Sequence, residues 1–420
     1  MSFPTESARS PPESEPASSP TRAETSLTPG PASPATVRGS SVTPKLPTPG
    51  PGPSSPTAAV RQSSAATRSP TPAPPGQNAP DATGLLPGAH WTGQNLPEGE
   101  DADNDWDSTL GNDAASSTAS ISSSILEYRT INGRTYHSDS VTDTSYWGPN
   151  DQKQNELLDI FHHTMTIALD GDLFKAPITE DPKNALDLGT GTGLWAIDFA
   201  DKYPDCSVIG TDISLIQPTW VPPNLRFEVD DYNKEWTYKA NFFDFVHIRW
   251  LTGTVKDWHT LYKEAYRCCK PGGWIEHIDA SGTVLSDDGT VEKDMAMGQW
   301  GKIWQEAGRR LGTPLDVFDQ NIQEEGLKEA GFVNISKKTY PVPLSPWPKD
   351  KKLRDVGLYF YAVLNQDLEG ATQFIFGNVL GWTKEEISTY CSHLKAEIKN
   401  LKIHGYFPYR MVYAQKPHDA

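Results

Sequence analysis

Apolar and polar positions divide the chain into two unlike parts. From residue 1 to about residue 120 large apolar side chains are sparse, and Pro, Ser, Thr, Ala and Gly dominate. Such a stretch cannot bury enough surface to offset the entropy of ordering it, so residues 1–125 are expected to be a disordered tail. Near Glu127 the pattern changes. Asn155 to Leu169 sets Leu157, Leu158, Phe161, Met165, Ala168 and Leu169 on one helical face, behind Asn150 or Asp151 as a cap. Short apolar runs follow at 185–188, 207–211, 225–229, 242–248 and 274–278, with helical spacing at 192–203 and 255–269 between them. Strands alternating with helices predict a parallel sheet covered by helices on both faces, with the strand C-termini along one edge. Further on, 290–311, 349–366 and 384–400 have helical spacing, 325–330 is a short helix closed by Gly331, and 332–340 and 407–414 alternate as strands. The expected organisation is a tail over 1–125 and one domain over 126–420, with its core at 184–280 and a helical insertion near 343–405.

The segment with the clearest chemistry is Leu-Asp-Leu-Gly-Thr-Gly-Thr-Gly at 186–193. It reads as a buried strand, a tight turn and a helix start. Glycines at every second position let the chain turn sharply and let a ligand approach the backbone, while the helix N-terminus offers free N–H groups. Gly189, Thr190, Gly191 and Gly193 are therefore candidate cofactor-cradle residues. A dinucleotide turn would place its third glycine one residue later, where this chain has Leu194. That spacing argues against a nicotinamide-dependent oxidoreductase. Asp187 also suits a ligand with an ammonium and a sulfonium better than a pyrophosphate, which points to S-adenosylmethionine.

Acids recur at the ends of the next two strands. Asp212 ends one, and Asp230 and Asp231 end the other. Asp187 can attract the ammonium. Asp212 can accept two ribose hydroxyls, since a carboxylate has paired acceptors and a diol has paired donors. Asp231 can accept an adenine amino group, with Tyr232 or Ile213 packing near the ring. Turns favour Asp on their own account, but three in register after such a glycine turn point to one ligand.

These pieces, together with 208–214 (Val-Ile-Gly-Thr-Asp-Ile-Ser), 227–231 (Phe-Glu-Val-Asp-Asp), 243–249 (Phe-Asp-Phe-Val-His-Ile-Arg) and 269–276 (Cys-Lys-Pro-Gly-Gly-Trp-Ile-Glu), resemble the class I S-adenosylmethionine-dependent methyltransferases over about residues 184–280. A closer likeness runs through Tyr-Trp-Gly-Pro-Asn-Asp (146–151), Ala-Gly-Phe (330–332), Pro-Trp-Pro-Lys-Asp-Lys-Lys-Leu (346–353), Gly-Trp-Thr-Lys-Glu-Glu (381–386) and His-Gly-Tyr-Phe-Pro (404–408). In these the chain is similar to the fungal LaeA-like methyltransferases, regulators of secondary metabolism and members encoded in metabolite gene clusters. The resemblance implies a Rossmann-like α/β fold with a seven-stranded, mostly parallel sheet. It implies methyl transfer to a small-molecule or protein acceptor, and a nuclear or cytoplasmic protein that can associate with velvet-type regulators. A regulator acting through such partners, with a protein acceptor or none, is the alternative to a biosynthetic enzyme.

Methyl transfer from a sulfonium needs alignment and exclusion of water more than strong acid–base help. His247 and Arg249 are the catalytic candidates beside the fourth strand's end, with His259 and Glu276 as outsiders. His247 lies in an apolar strand and is as readily structural; Arg249 can hold a carboxylate bidentately. His162 and His163 read as packed or exposed histidines. No metal-ligand constellation is evident. Trp147, Trp250, Trp258, Trp300 and Trp304, with Tyr146, could wall a pocket for a planar acceptor, although aromatics at helical spacing commonly form core.

Bulk charge adds little. The net charge of −17 argues against binding of nucleic acid by bulk charge, and much of the acid lies between Glu98 and Asp107, which read as a solvated linker. Four cysteines without C-x-x-C spacing suggest a reducing compartment. No apolar run reaches membrane-spanning length. Nine Ser-Pro or Thr-Pro pairs before residue 73 leave proline-directed phosphorylation of the tail open.

Overall fold

A computed structural model of the protein describes residues 79–96, 128–138 and 146–420. The expectations for the remainder of the tail, its proline-directed pairs and its acidic run, lie outside the described residues. The described chain begins with a short helix α1 (Gly88–Thr92) and a hairpin of β1 (Arg129–Ile131) and β2 (Arg134–Tyr136). The helix α2 (Gln152–Ala168) follows, capped by Asp151, whose carboxylate accepts the N–H of Gln154.

The alternating region folds as β3 (Asn184–Leu188), α3 (Leu194–Lys202), β4 (Ser207–Asp212), β5 (Leu225–Val229), β6 (Phe243–Arg249), α4 (Trp258–Cys268) and β7 (Cys269–Ala280). Next come α5 (Ala296–Leu311), α6 (Ile322–Ala330), β8 (Val333–Pro343), α7 (Lys351–Thr372), a π-helical turn (Gln373–Val379), α8 (Lys384–Lys399) and β9 (Tyr406–Gln415). Seven strands form one sheet in the order β5-β4-β3-β6-β7-β9-β8. The first five are parallel, and β9 runs antiparallel between β7 and β8. This is the expected mostly parallel sheet. Ala185, Leu186, Asp187 and Leu188 are all buried, which is why β3 reads as a continuous apolar run rather than an alternating one. Strand order reverses at β3, so the crevice beyond its C-terminal end is where such a sheet binds ligands. The expected helical insertion occupies the interval between β8 and β9.

Three expectations shift. Helix α5 starts at Ala296, later than its pattern suggests. Ser286 and Thr290 give their hydroxyls, and Thr290 its N–H, to Asp288, a local turn that competes with helix. The start of α5 is set instead by Glu397 of α8, whose two oxygens accept the N–H groups of Ala296 and Met297, each at 2.8 Å. Second, α7 runs past Gln366 with a break at Asp367. Third, residues 79–96 do not belong to a structureless tail. Trp91 is 1% exposed and meets the Tyr390 ring edge-on at 5.0 Å. Leu86 N–H donates to Gln299 at 2.9 Å, and Lys302 donates to Gly84 C=O at 2.8 Å. One buried indole and its flanking hydrogen bonds hold this arm to α5 and α8, although its composition has no helical or strand period.

Candidate active site

The crevice is built from the β3–α3 turn outward. Gly189, Gly191 and Gly193 all have positive φ, at 64°, 59° and 85°. A Cβ at Gly189 would come within 2.4 Å of Leu251, and one at Gly193 within 2.3 Å of the Phe227 ring. Gly191 has only Leu158 at 3.4 Å, so open space faces it. Gly189 and Gly193 thus make close packing possible, while Gly191 presents backbone to the cavity.

Asp187, Gly189, Thr190, Gly191, Asp212, Ile213, Tyr232, His247 and Arg249 all line one cavity at this edge. Asp187 is fully engaged. One oxygen accepts the Thr190 hydroxyl at 2.6 Å, and the other lies 2.7 Å from His247 Nδ1. An ionised carboxylate only accepts, so His247 carries its proton on Nδ1 and leaves Nε2 as a lone pair. That Nε2 is buried without a partner among the described residues, and the ring stacks on Trp195 at 3.7 Å. Burial pushes the His247 imidazole down to about 4, so it is neutral near pH 7. Asp212 accepts the N–H groups of Gly191 and Ser214, each at 2.9 Å, and no cation stands beside it among the described residues. Burial pushes its carboxyl up to about 6.

Arg249 ends β6 and lies over the Phe161 ring. Its one hydrogen bond among the described residues runs to His162 Nδ1 at 3.1 Å. Asp198 of α3 sits 2.8 Å from His162 Nε2, which fixes the tautomer: Nε2–H donates to Asp198 and bare Nδ1 accepts from Arg249. Among the described residues no carboxylate pairs with Arg249, and burial draws its pKa below the ordinary arginine value. His162, read from sequence as a packing residue, is therefore a wall of the cavity and the support of Arg249. Its i,i+1 neighbour His163 offers no such signal, so spacing alone could not separate them. Trp250, next in the chain, has φ 58°, a strained conformation for a bulky side chain, and its ring lies 4.3 Å from that of Phe161, tilted by 43°.

Gly193, Asp230 and Asp231 are outside the cavity wall. The strand ends carrying Asp187, Asp212 and Asp231 do share one edge, but the Asp231 carboxylate turns back to accept from Asn233 N–H and Nδ2 at 3.0 and 3.1 Å. Asp230 likewise accepts the N–H of Asp231. One oxygen of each carboxylate is thus bound to the turn that follows β5. Of the expected aromatic wall, Tyr146 lines this cavity, and Trp147 and Trp250 line both it and a second, adjoining one with Trp300 and Trp304. Trp258 is elsewhere, stacked on His277 at 4.7 Å. His259 is a surface residue 3.2 Å from Glu329, and Glu276 is buried on β7 away from the cavity wall.

A cavity with two acids, a tight glycine turn and one guanidinium without a carboxylate partner fits a zwitterionic ligand carrying a diol. Comparisons with known proteins agree with that chemistry. A family model described as a methyltransferase domain matches residues 161–337. Methyltransferase pytC of Aspergillus terreus is 36% identical over 307 residues, covering 73% of this chain and 93% of that one. The secondary metabolism regulator LAE1 of Cochliobolus heterostrophus is 34% identical over 68% of this chain and 94% of its own. The protein-methionine methyltransferase laeA of Emericella nidulans is 31% identical over 69% of this chain and 77% of its own. The chain belongs to the LaeA-like class I methyltransferases, whose cofactor is S-adenosylmethionine.

Proposed function

We propose that this protein transfers a methyl group from S-adenosylmethionine to a small-molecule acceptor within fungal secondary metabolism, acting in the nucleus or cytoplasm. The observation that carries the reading is Asp212: a carboxylate on the cavity wall, held by backbone N–H groups and with no cation beside it among the described residues. Its free lone pairs suit paired hydroxyl donors such as a ribose diol. The cofactor supplies an electrophilic methyl on a sulfonium whose departure as a neutral thioether is already favourable.

The protein's residues then have separable tasks. Arg249, steadied by His162, holds a carboxylate. Asp187 places negative charge beside an ammonium while it pins Thr190. His247 is a positioning residue, holding Asp187 through Nδ1. Gly191 admits the ligand's body against the backbone, and Ile213 and Tyr232 supply apolar wall. Gly193 keeps the turn closed on Phe227, and Asp230 and Asp231 shape the neighbouring turn; none of these three is assigned a ligand contact. Indoles on the far side exclude water, which favours an in-line displacement.

Calorimetric titration with S-adenosylhomocysteine tests this. The wild-type protein should bind, while Asp212→Ala and Gly191→Val should each lose affinity without losing cooperative melting. Unchanged affinity in both variants would sink the site assignment. A second reading has support in the relative named as a regulator: action through protein partners, velvet-type regulators among them. Normal regulation in cells carrying Asp212→Ala would favour it over the enzymatic reading.

A further inference from the structure

The second cavity adjoins the first and shares the Trp147 and Trp250 side chains with it. Trp300 and Trp304 of α5, Phe360 of α7 and Phe407 of β9 add further aromatic rings to its wall. We infer that this chamber is the methyl-acceptor site and that it takes an uncharged, ring-bearing small molecule with a carbonyl-type oxygen. The inference rests on the adjoining cavity holding the cofactor.

Charge selects first. Asp367 is the only carboxylate on the wall among the described residues, and its side chain is fully buried. Arg134 grips it through two hydrogen bonds, at 2.6 and 2.9 Å, and Lys153 lies 3.5 Å away. Arg134 also binds Asp151. Two acids and two bases close on one another, so the group has no net charge to offer a cation or an anion. A charged acceptor would lose its hydration here without gaining a partner.

Polar groups select next. Trp304 Nε1 and Thr252 Oγ1, on two residues of this wall, are buried and have no hydrogen-bond partner among the described residues. An indole N–H can only donate. An occupant carrying an acceptor oxygen would satisfy it, and a pure hydrocarbon would leave it bare. Two other polar groups of the wall are already used: the Ser281 hydroxyl is held by Asp319 at 3.0 Å, and Trp147 Nε1 faces Thr252 C=O at 3.4 Å. A peptide would bring an N–H and a C=O with every residue, and this largely aromatic and aliphatic wall has few groups to pair them. Aromatic faces favour a ring over a linear chain of the same size.

The test is a titration of flavone, which is neutral, planar and carbonyl-bearing and cannot itself accept a methyl group at oxygen by proton loss. It is added to the full chain with S-adenosylhomocysteine present, and tryptophan fluorescence is followed. Saturable quenching is expected in the wild-type protein. Ala371→Phe, which fills the chamber from α7, should weaken flavone at least about tenfold. Trp304→Phe keeps a ring and removes the donor, and should weaken it about three- to tenfold. Both variants should bind S-adenosylhomocysteine within about twofold of wild type, which also shows that they fold.

Three results would overturn the inference while leaving the cofactor reading intact: S-adenosylhomocysteine binds but flavone does not saturate; Ala371→Phe leaves flavone affinity unchanged; or naphthalene-2-sulfonate, tetramethylammonium or N-acetylmethioninamide binds the chamber more tightly than flavone. Failure of the wild-type protein to bind S-adenosylhomocysteine would remove the cofactor reading, and this inference with it.

Discussion

Arg249 concentrates the tension between stability and binding in one side chain. A guanidinium out of bulk water with a histidine and a phenyl ring for company is destabilising unless a ligand anion completes it. Arg249→Met should therefore weaken S-adenosylhomocysteine about 10- to 100-fold, the worth of a charge-assisted hydrogen bond pair, while the melting temperature of the free protein holds or rises. Calorimetry and a thermal scan on the same sample decide it; a lower melting temperature with unchanged affinity would make Arg249 structural. Asp212 yields a pH test. Its carboxyl titrates at about 6 in the free protein, and only the ionised form is a full acceptor for a diol. Affinity should fall about tenfold between pH 7.5 and pH 5, and Asp212→Asn should flatten that slope. Tyr146 and Tyr232, which face the same cavity, are held above the ordinary tyrosine value by burial and stay neutral throughout. Asp187 is already bonded on both oxygens. The tight turn after β3 is legible in the sequence, because its positive φ angles are met locally by Gly189, Gly191 and Gly193. His162 is not, because its role depends on Asp198 and Arg249, 36 and 87 positions away. Asp231 is the converse case: it stands at the strand end as expected, but one of its oxygens accepts from Asn233 and it is not on the cavity wall.

Among the elements, the amino-terminal arm departs furthest from its composition. Removing residues 1–78 should leave the melting curve unchanged, whereas removal through residue 96 should lower its midpoint. Trp91→Ala alone should cost about 3–5 kcal/mol in a chemical denaturation curve, as expected for a buried tryptophan. Equal midpoints for the two truncations would mean that the arm's docking contributes nothing. The βα alternation is readable because β3, β4 and β6 are buried along most of their length and α3 and α4 each have one apolar stripe, both of them local properties. The arm has neither; a single indole anchors it. Strand β7 carries a second element-scale effect. Glu276 receives the N–H groups of Lys175 and Ala176 on one oxygen, while the other is buried and unpartnered. Burial pushes its carboxyl up to about 7. As pH rises from the unfolded value of 4.5 toward 7, the unfolded chain ionises first and the folded state loses stability. Glu276→Gln should thus stabilise the fold by about 1–3 kcal/mol at pH 8 and change it little at pH 5. Equal effects at both pH values would refute the assignment.

At the largest scale, a mostly parallel sheet follows from the alternation of strands and helices, and the described residues form one. What local pattern could not supply is the way distant segments share walls. The hairpin reaches α7 through Arg134 and Asp367, breaking the helix where that carboxylate is taken, and the insertion thereby becomes one side of the second chamber. Arg134→Met would leave the buried Asp367 with only the more distant, exposed Lys153 and should cost about 3–5 kcal/mol, measured by urea unfolding. Loss of less than about 1 kcal/mol, the value of a solvent-exposed pair, would show that water reaches the site.

Trp250 belongs to both cavities on a backbone that has little freedom to relax. A guest in either one therefore meets an indole whose pose the other guest also selects. Thermodynamic reciprocity then requires that flavone and S-adenosylhomocysteine change each other's affinity by one common factor, whatever the order of mixing.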